Sequence, residues 1–367
     1  MKITGLRATP LQIPFDVPFR TAIHYIESIN FVTLQIDTDE GLVGEGLLWC
    51  MNPARLPVLE AMIQSLAPKV IGRDPHEHAA LWTEMWEDVN FFGHKGITLF
   101  GINAIDMALW DLVGKANNMS LCRMLGQSRD RVRAYQSGGL WVSLSIDELQ
   151  AEAKDYLAQG FRAMKMRLGK SHGGKPSVAA DIERVAAVRE AIGPDIDLMA
   201  DANQGFTVNH AIRIGRALEP YNLAWFEEPV QAYDLAGSAR VAAEIDTPIA
   251  SGETEYSRYG FRDMIERGAA DVLMPDLERV GGITEFIKVA HMADAFDIPI
   301  SPHLYTEQCL QLCGALSNVE YSEYMPWFAA LYNEKMEMVD GDLLVPDRPG
   351  LGFTFNEDAI GRYRLTT

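Results

Sequence analysis

Cysteine is scarce in this chain. Four residues in 367 (Cys50, Cys122, Cys309 and Cys313) cannot form a disulfide scaffold, and their spacing matches no zinc pattern. Cys309 and Cys313 stand one helical turn apart, the spacing of a packed helix face. A reducing cytoplasm is the simplest compartment. Positive charge is also in deficit: 32 Lys and Arg against 51 Asp and Glu leave a net charge of −19. Nucleic acid and anionic membrane are therefore excluded as expected partners. No apolar run is expected to reach the roughly 20 residues needed to cross a bilayer. The opening MKITGLRATPLQIPF alternates like a strand and lacks the basic, apolar, small-residue order of a signal sequence. Phosphate-cradling motifs are missing as well. GLVGEG and RVGGITE are glycine-rich, but neither is a P-loop or a GxGxxG fingerprint, and both read as turns.

What is present fits one large barrel with an accessory domain. The chain is too long for one small domain, and 48% hydrophobic with 23% charged residues supports a sizeable core. Residues 1 to about 50 alternate as strands, as in FVTLQIDTDEGLVGEG. A helical period follows in LPVLEAMIQSLAPKVIG, HAALWTEMWEDV and FGINAIDMALWDLVGKA, where Trp82, Met85 and Trp86 read as core. From about residue 130 short apolar runs alternate with amphipathic helices. The runs are VRAYQSGG, RAMKMRL, DLMADAN, LAWFEEP, PIASGE, DVLMPD, PISPH and VEYSEY. Helical stretches such as IDELQAEAKDYLAQG and ITEFIKVAHMADAFD separate them, and the last, around Gln308–Ala315, is short. That order predicts an α/β fold, a (β/α)8 barrel of the TIM type. The expected divisions are an α+β unit over 1–126, the barrel over 127–344, and a tail over 345–367 returning to the first unit.

Chemistry in such a barrel sits at the C-terminal strand ends. Those ends carry Lys165 and Arg167, then Asp201, Glu227, Glu253, Asp276, His303 and Glu323. Asp201, Glu227 and Glu253 follow at intervals of 26 residues, one strand-helix unit each time. Three oxygen donors on rigid strands suit Mg²⁺, which keeps open positions for water or substrate. Helix capping would explain any one of these acids alone; three on consecutive strands favour a metal. Asp276 can fix the tautomer of His303 and make it a general base. The histidines at 76, 78, 210 and 291 belong to outer helices or loops. Lys165 and Arg167 alternate by two and share one face, where a substrate carboxylate would meet them. An ion pair with the acids is the alternative for Arg167. Glu323 could donate a hydrogen bond to the substrate carboxylate if low polarity and neighbouring acids raise its pKa and keep it protonated.

Together, INAIDMALWDLVGK, FRAMKMRLG, DANQ, WFEEP, SGE, VLMPDLERVGG, SPHLYTE and PDRPGLGF resemble the enolase superfamily, and within it the mandelate racemase subgroup. The resemblance covers nearly the whole chain. It implies Mg²⁺ on Asp201, Glu227 and Glu253, with Lys165 on the substrate carboxylate and Asp276-His303 as acid/base catalyst. Glu323 would stabilise an enediolate, and Asn203 would touch substrate. The muconate-lactonising subgroup would place a lysine near Asp276, and MPDLERVGG has none. One departure stands out: Arg167 occupies the second position of the family's Lys-x-Lys motif. A permanently charged guanidinium is a poor base, so a two-base racemase is disfavoured. A dehydratase needs one base, and His303 can serve as base and then acid. The expected activity is dehydration of an acid sugar, an aldonate or aldarate, to a 2-keto-3-deoxy acid. An epimerase or lactone cycloisomerase and a non-catalytic carboxylate-binding protein are the alternatives. In this family the first domain would cap the barrel and close over the pocket with loops carrying Arg20, His24, Tyr25 and Trp49, all substrate-contact candidates. The loop GKSHGGKPSV, with Lys170, His172 and Lys175, is either a contact for a distal carboxylate or a basic surface loop. Homo-oligomerisation is a further expectation from the resemblance.

Overall fold

The computed structural model describes residues 1–20, 25–169 and 177–365. Three antiparallel strands open the chain: β1 (Ile3–Arg20), β2 (Tyr25–Thr38) and β3 (Val43–Cys50). Helices Leu56–Val70, His78–Asp88 and Ile97–Ala116 cover one face, burying Ile63, Leu66, Trp82, Met85 and Ile105 among the strand side chains. Two glycines set how close the layers come. A Cβ on Gly44 or Gly46 would lie 2.2 or 2.0 Å from the carbonyl oxygens of Ala108 and Ala104. Only glycine lets β3 lie directly on helix Ile97–Ala116.

That helix corrects the expectation that no apolar run approaches membrane-spanning length. Its 20 residues are long and apolar enough, by length and composition, to cross a bilayer. However, 83% of the apolar window is buried inside the fold, as befits a core helix. Asp106 and Asp111 interrupt the run, and both are buried with partners. Asp106 accepts from Thr284 N and Oγ1 at 2.8 and 2.6 Å, and Asp111 pairs with Lys115 at 2.6 Å.

The parallel strands of the barrel are β4 (Arg131–Gln136), β5 (Ala163–Arg167), β6 (Asp197–Asp201), β7 (Trp225–Glu227), β8 (Ile249–Ser251) and β9 (Val272–Leu273). The seventh place is held by bridges from Ile300 to Leu273 and to Val319. β10 (Ser322–Tyr324) then pairs with β4 and closes the barrel. Helices Ile146–Ala158, Val178–Ile192, Val208–Leu218, Leu235–Glu244, Ser257–Arg267, Ile283–Asp294 and Thr306–Ala315 form the outer layer. The first starts at a capping box in which Ser145 and Glu148 satisfy each other's backbone N–H groups. After β10, the residues between Met325 and Asn356 hold a 3-10 turn, Ala329–Leu331, and no α-helix. A hairpin of β11 (Met338–Val339) and β12 (Asp342–Leu344) instead runs back to pair antiparallel with β4.

Inside the barrel, Tyr135, Met199, Trp225, Met274 and Tyr321 pack as a closed apolar plug. Outside it, Met164 and Met166 of β5 pack against the helices. The plug leaves the C-terminal strand ends as the polar mouth. The last helix, Glu357–Tyr363, packs on β1, and the Leu365 N–H donates to the Pro10 carbonyl at 3.0 Å. Cys309 and Cys313 are buried on helix Thr306–Ala315, and all four cysteines are free thiols.

Candidate active site

Alternation along β5 turns Lys165 and Arg167 inward together, both buried. Parallel register sets Arg167 beside Asp201 and Asp201 beside Glu227 on the next strands. The result is a mesh of buried charge. Lys165 Nζ lies 2.5 Å from Glu227 Oε1 and 3.1 Å from Glu323 Oε1. Glu227 also accepts from Trp225 Nε1 at 2.8 Å. Arg167 Nε lies 3.2 Å from Asp201, and its guanidinium stacks over Trp141 at 4.9 Å. The ion-pair alternative for Arg167 is thus what the structure contains.

His303 Nδ1 stands 2.8 Å from Asp276 Oδ2, and its Nε2 lies 3.4 Å from Glu253. The dyad therefore exists, with Nε2 turned to Glu253 and the cavity. Asp276 also caps helix Leu277–Val280 through its other oxygen, which accepts from the Arg279 N–H at 3.0 Å. Burial disfavours the imidazolium, but Glu253, the Asp276 hydrogen bond and Glu323 raise His303 to about 9. Neutralising Glu253 would remove the largest of these raising influences. Burial likewise opposes charge on Lys165, yet Glu227 and Glu323 hold it above its ordinary value. It is a fixed cation rather than a base.

Glu323 corrects an expectation. Burial would raise it, but Lys165, His303 and donors from Ser137 and Leu304 outweigh burial and bring it to about 2. It is ionised, accepting from Ser137 Oγ at 2.6 Å and from the Leu304 N–H at 2.7 Å. A protonated Glu323 donating to substrate is not what this pocket favours.

Eight of the candidates line one cavity: Trp49, Lys165, Arg167, Asp201, Asn203, Glu253, His303 and Glu323. Glu227 and Asp276 sit behind it, fully buried, holding Lys165 and His303. Tyr25 does not join them; it is 53% exposed and lines neither this cavity nor its neighbour. The Arg20 backbone pairs with Tyr25 at the end of β1. The Arg20 side chain, His24, and the loop with Lys170, His172 and Lys175 lie outside the described residues.

The donor set fits a hard divalent cation. Burial raises Asp201, and burial with the neighbouring acids Asp201, Glu253 and Glu323 raises Glu227 to about 8. Crowded, dehydrated carboxylates of this kind are stabilised by added positive charge, and an all-oxygen set suits Mg²⁺. Among the described residues no three acidic, His or Cys side chains form a ready-made metal cage. Each acid is directed instead at a protein cation: Asp201 at Arg167, Glu227 at Lys165 and Glu253 at His303.

Some pocket residues escaped sequence reasoning. Ser137, just past β4, ties Glu323 to Arg167, whose Nη2 donates to Ser137 Oγ at 3.0 Å. Arg279 reaches Asp276 Oδ2 at 3.1 Å, and its place three residues after that Asp was a usable signal. Glu228 is buried behind Glu253, and burial with that neighbour raises it to about 8. Only its adjacency to Glu227 hinted at it.

An α+β unit over a barrel, with a His-Asp pair facing acids and fixed cations, defines the class of capped-barrel enzymes that work beside carboxylates. Two family models agree: "Mandelate racemase / muconate lactonizing enzyme, N-terminal domain" over residues 3–126 and "Enolase C-terminal domain-like" over 148–359. The chain belongs to the enolase superfamily, in its mandelate racemase subgroup. L-talarate dehydratase from Polaromonas sp. JS666, solved with Mg and L-glucarate, superposes with TM-score 0.91 at 36% identity, over 100% of this chain and 98% of that one. D-galactarolactone cycloisomerase from Agrobacterium fabrum is 35% identical, over 100% of this chain and 99% of its own length. L-talarate/galactarate dehydratase from Salmonella typhimurium is 34% identical, over 93% of this chain and 84% of its own.

Proposed function

We propose that the chain is a Mg²⁺-dependent acid-sugar dehydratase, a hydro-lyase that converts an acid sugar to a 2-keto-3-deoxy acid. The observation that carries this is the single Asp-oriented His303 facing fixed cations in a cavity where the second position of the lysine pair is Arg167. The names of the two dehydratase relatives support it. In this reading Asp201, Glu227 and Glu253 would hold the ion, which would supply positive charge against the negative charge that proton abstraction places on the substrate.

Lys165, held by Glu227 and Glu323, clamps the substrate carboxylate. His303 Nε2 takes the α-proton, while Asp276 holds the ring by Nδ1. The same imidazolium then returns the proton to the β-hydroxyl as the C–O bond breaks. Water leaves, and the enol product tautomerises to the 2-keto acid. Arg167, always charged and bound to Asp201, cannot act as a second base on the opposite face. Elimination is therefore favoured over racemisation. Glu323 stays ionised and anchors Lys165, and Asn203 and Trp49 contact substrate from the cavity wall.

The division at 126/127 and 344/345 accompanies this reading, with the first unit closing the barrel mouth. So does a cytoplasmic homo-oligomer without nucleic-acid or membrane partners, supported by four free thiols and a net charge of −19. A panel of aldonates and aldarates with Mg²⁺, assayed for 2-keto acid, tests the activity. His303→Asn should lower turnover at least about a hundredfold. Normal dehydration by that variant would remove His303 from the mechanism. Absence of dehydration with α-proton exchange in D₂O would point to an isomerase.

A further inference from the structure

Two adjoining cavities open at the mouth of the barrel. The inner one, of about 70 Å³, contains the cations Lys165, Arg167 and His303. The outer one, of about 260 Å³, lies between the first unit and the barrel loops, walled by Met51, Phe100, Gln204, Thr254 and Glu278. Trp49, Met51, Asn203, Glu253 and Arg279 line both.

The outer chamber has a distinct chemistry. Among its described lining residues Arg279 is the one cation, and it already stands 3.1 Å from Asp276. Two carboxyl side chains, Glu253 and Glu278, face the same space. Among the described residues, three buried polar atoms on the shared wall have no hydrogen-bond partner: Trp49 Nε1, Arg279 Nη1 and Asn203 Oδ1. The Arg279 approach to Asp276 is an ion pair without hydrogen-bond geometry at that nitrogen. The wall thus offers two donors and one acceptor, unmet by the described residues.

Building on the dehydratase activity above, we propose that this chamber receives the uncharged, hydroxylated end of a monocarboxylate acid sugar, an aldonate. Trp49 Nε1 and Arg279 Nη1 donate to its hydroxyl oxygens, and Asn203 Oδ1 accepts from a hydroxyl. Hydroxyls both donate and accept, so they can satisfy all three atoms at once. A second carboxylate, as in an aldarate, has no proton for Asn203 and would face Glu253. Its nearest described counter-charge is already engaged by Asp276. Aldonates are therefore preferred over the aldarates named for two of the relatives.

The test separates binding from chemistry. His303→Asn with Mg²⁺ is titrated calorimetrically with matched pairs that differ only at the distal carbon, such as gluconate with glucarate and galactonate with galactarate. The wild type is assayed on the same pairs for 2-keto acid. At least one aldonate should bind about tenfold or more tighter than its aldarate. Trp49→Phe, which keeps a ring and loses the N–H, should weaken that aldonate roughly three- to tenfold. Tighter aldonate binding without any 2-keto acid supports the chamber's preference and overturns the dehydratase activity. Aldarates bound as tightly or more tightly overturn the preference, and the activity still stands if 2-keto acid forms. Unchanged aldonate affinity in Trp49→Phe overturns the donor assignment, and no binding of any pair overturns the whole proposal.

Discussion

Ser137 holds two charged partners at once, donating to Glu323 and accepting from Arg167. Hydrogen bonds to charged groups contribute about 1.5–3 kcal/mol each, so losing both loosens the anchor of Lys165 and costs the fold stability as well. Ser137→Ala should lower kcat about ten- to a hundredfold and lower the melting temperature by several degrees, by steady-state kinetics and thermal denaturation. An unchanged kcat would show that Glu323 needs no such support. At this scale the strand-end acids, His303 and Lys165 were legible because charge at the end of an apolar strand has few uses. Ser137 and Arg279 were not. A serine after a strand or an arginine inside a short helix is common, and only the ring of neighbouring strands gives each its partner. The ionisation of Glu323 is not legible for the same reason: two cations from other strands, with donors from Ser137 and Leu304, outweigh its burial.

Period and turn chemistry made the strands and most helices readable, since alternation and the 3.6-residue repeat both survive in single segments. What could not be read was how closely elements approach. Gly44 and Gly46 let β3 rest on the carbonyl oxygens of helix Ile97–Ala116. Gly46→Ala forces the layers apart and should destabilise the chain by about 1–3 kcal/mol or more, measured by chemical denaturation. A variant of unchanged stability would mean that the contact relaxes at no cost. The unit after β10 was likewise hidden. Its apolar residues serve a turn and the hairpin of β11 and β12 on β4, so a helical period is not needed there.

Across the whole molecule, helix Ile97–Ala116 joins the first unit to the barrel through Asp106, which accepts from Thr284. Burial pushes Asp106 up to about 7, well above the ordinary aspartate value of about 3.9. The folded state therefore holds this proton more tightly than the unfolded chain. The associated stabilisation is full below about pH 4 and is lost as pH rises through about 7. Asp106→Asn cannot lose that proton. Relative to wild type it should be more stable at pH 8 than at pH 5, by an amount on the order of a few kcal/mol, in denaturant titrations at both values. A difference independent of pH would show that Asp106 is ionised throughout.

By itself, the sequence determined the architecture, the acids and histidine of the mouth, and the Arg167 departure, because each is written in local period or in residue type. Tertiary structure alone decided the charge states, the pairing of each acid with a particular cation, and the division of the mouth into two chambers. Those properties depend on distances between strands far apart in the chain, where low polarity strengthens every charge that the fold brings together.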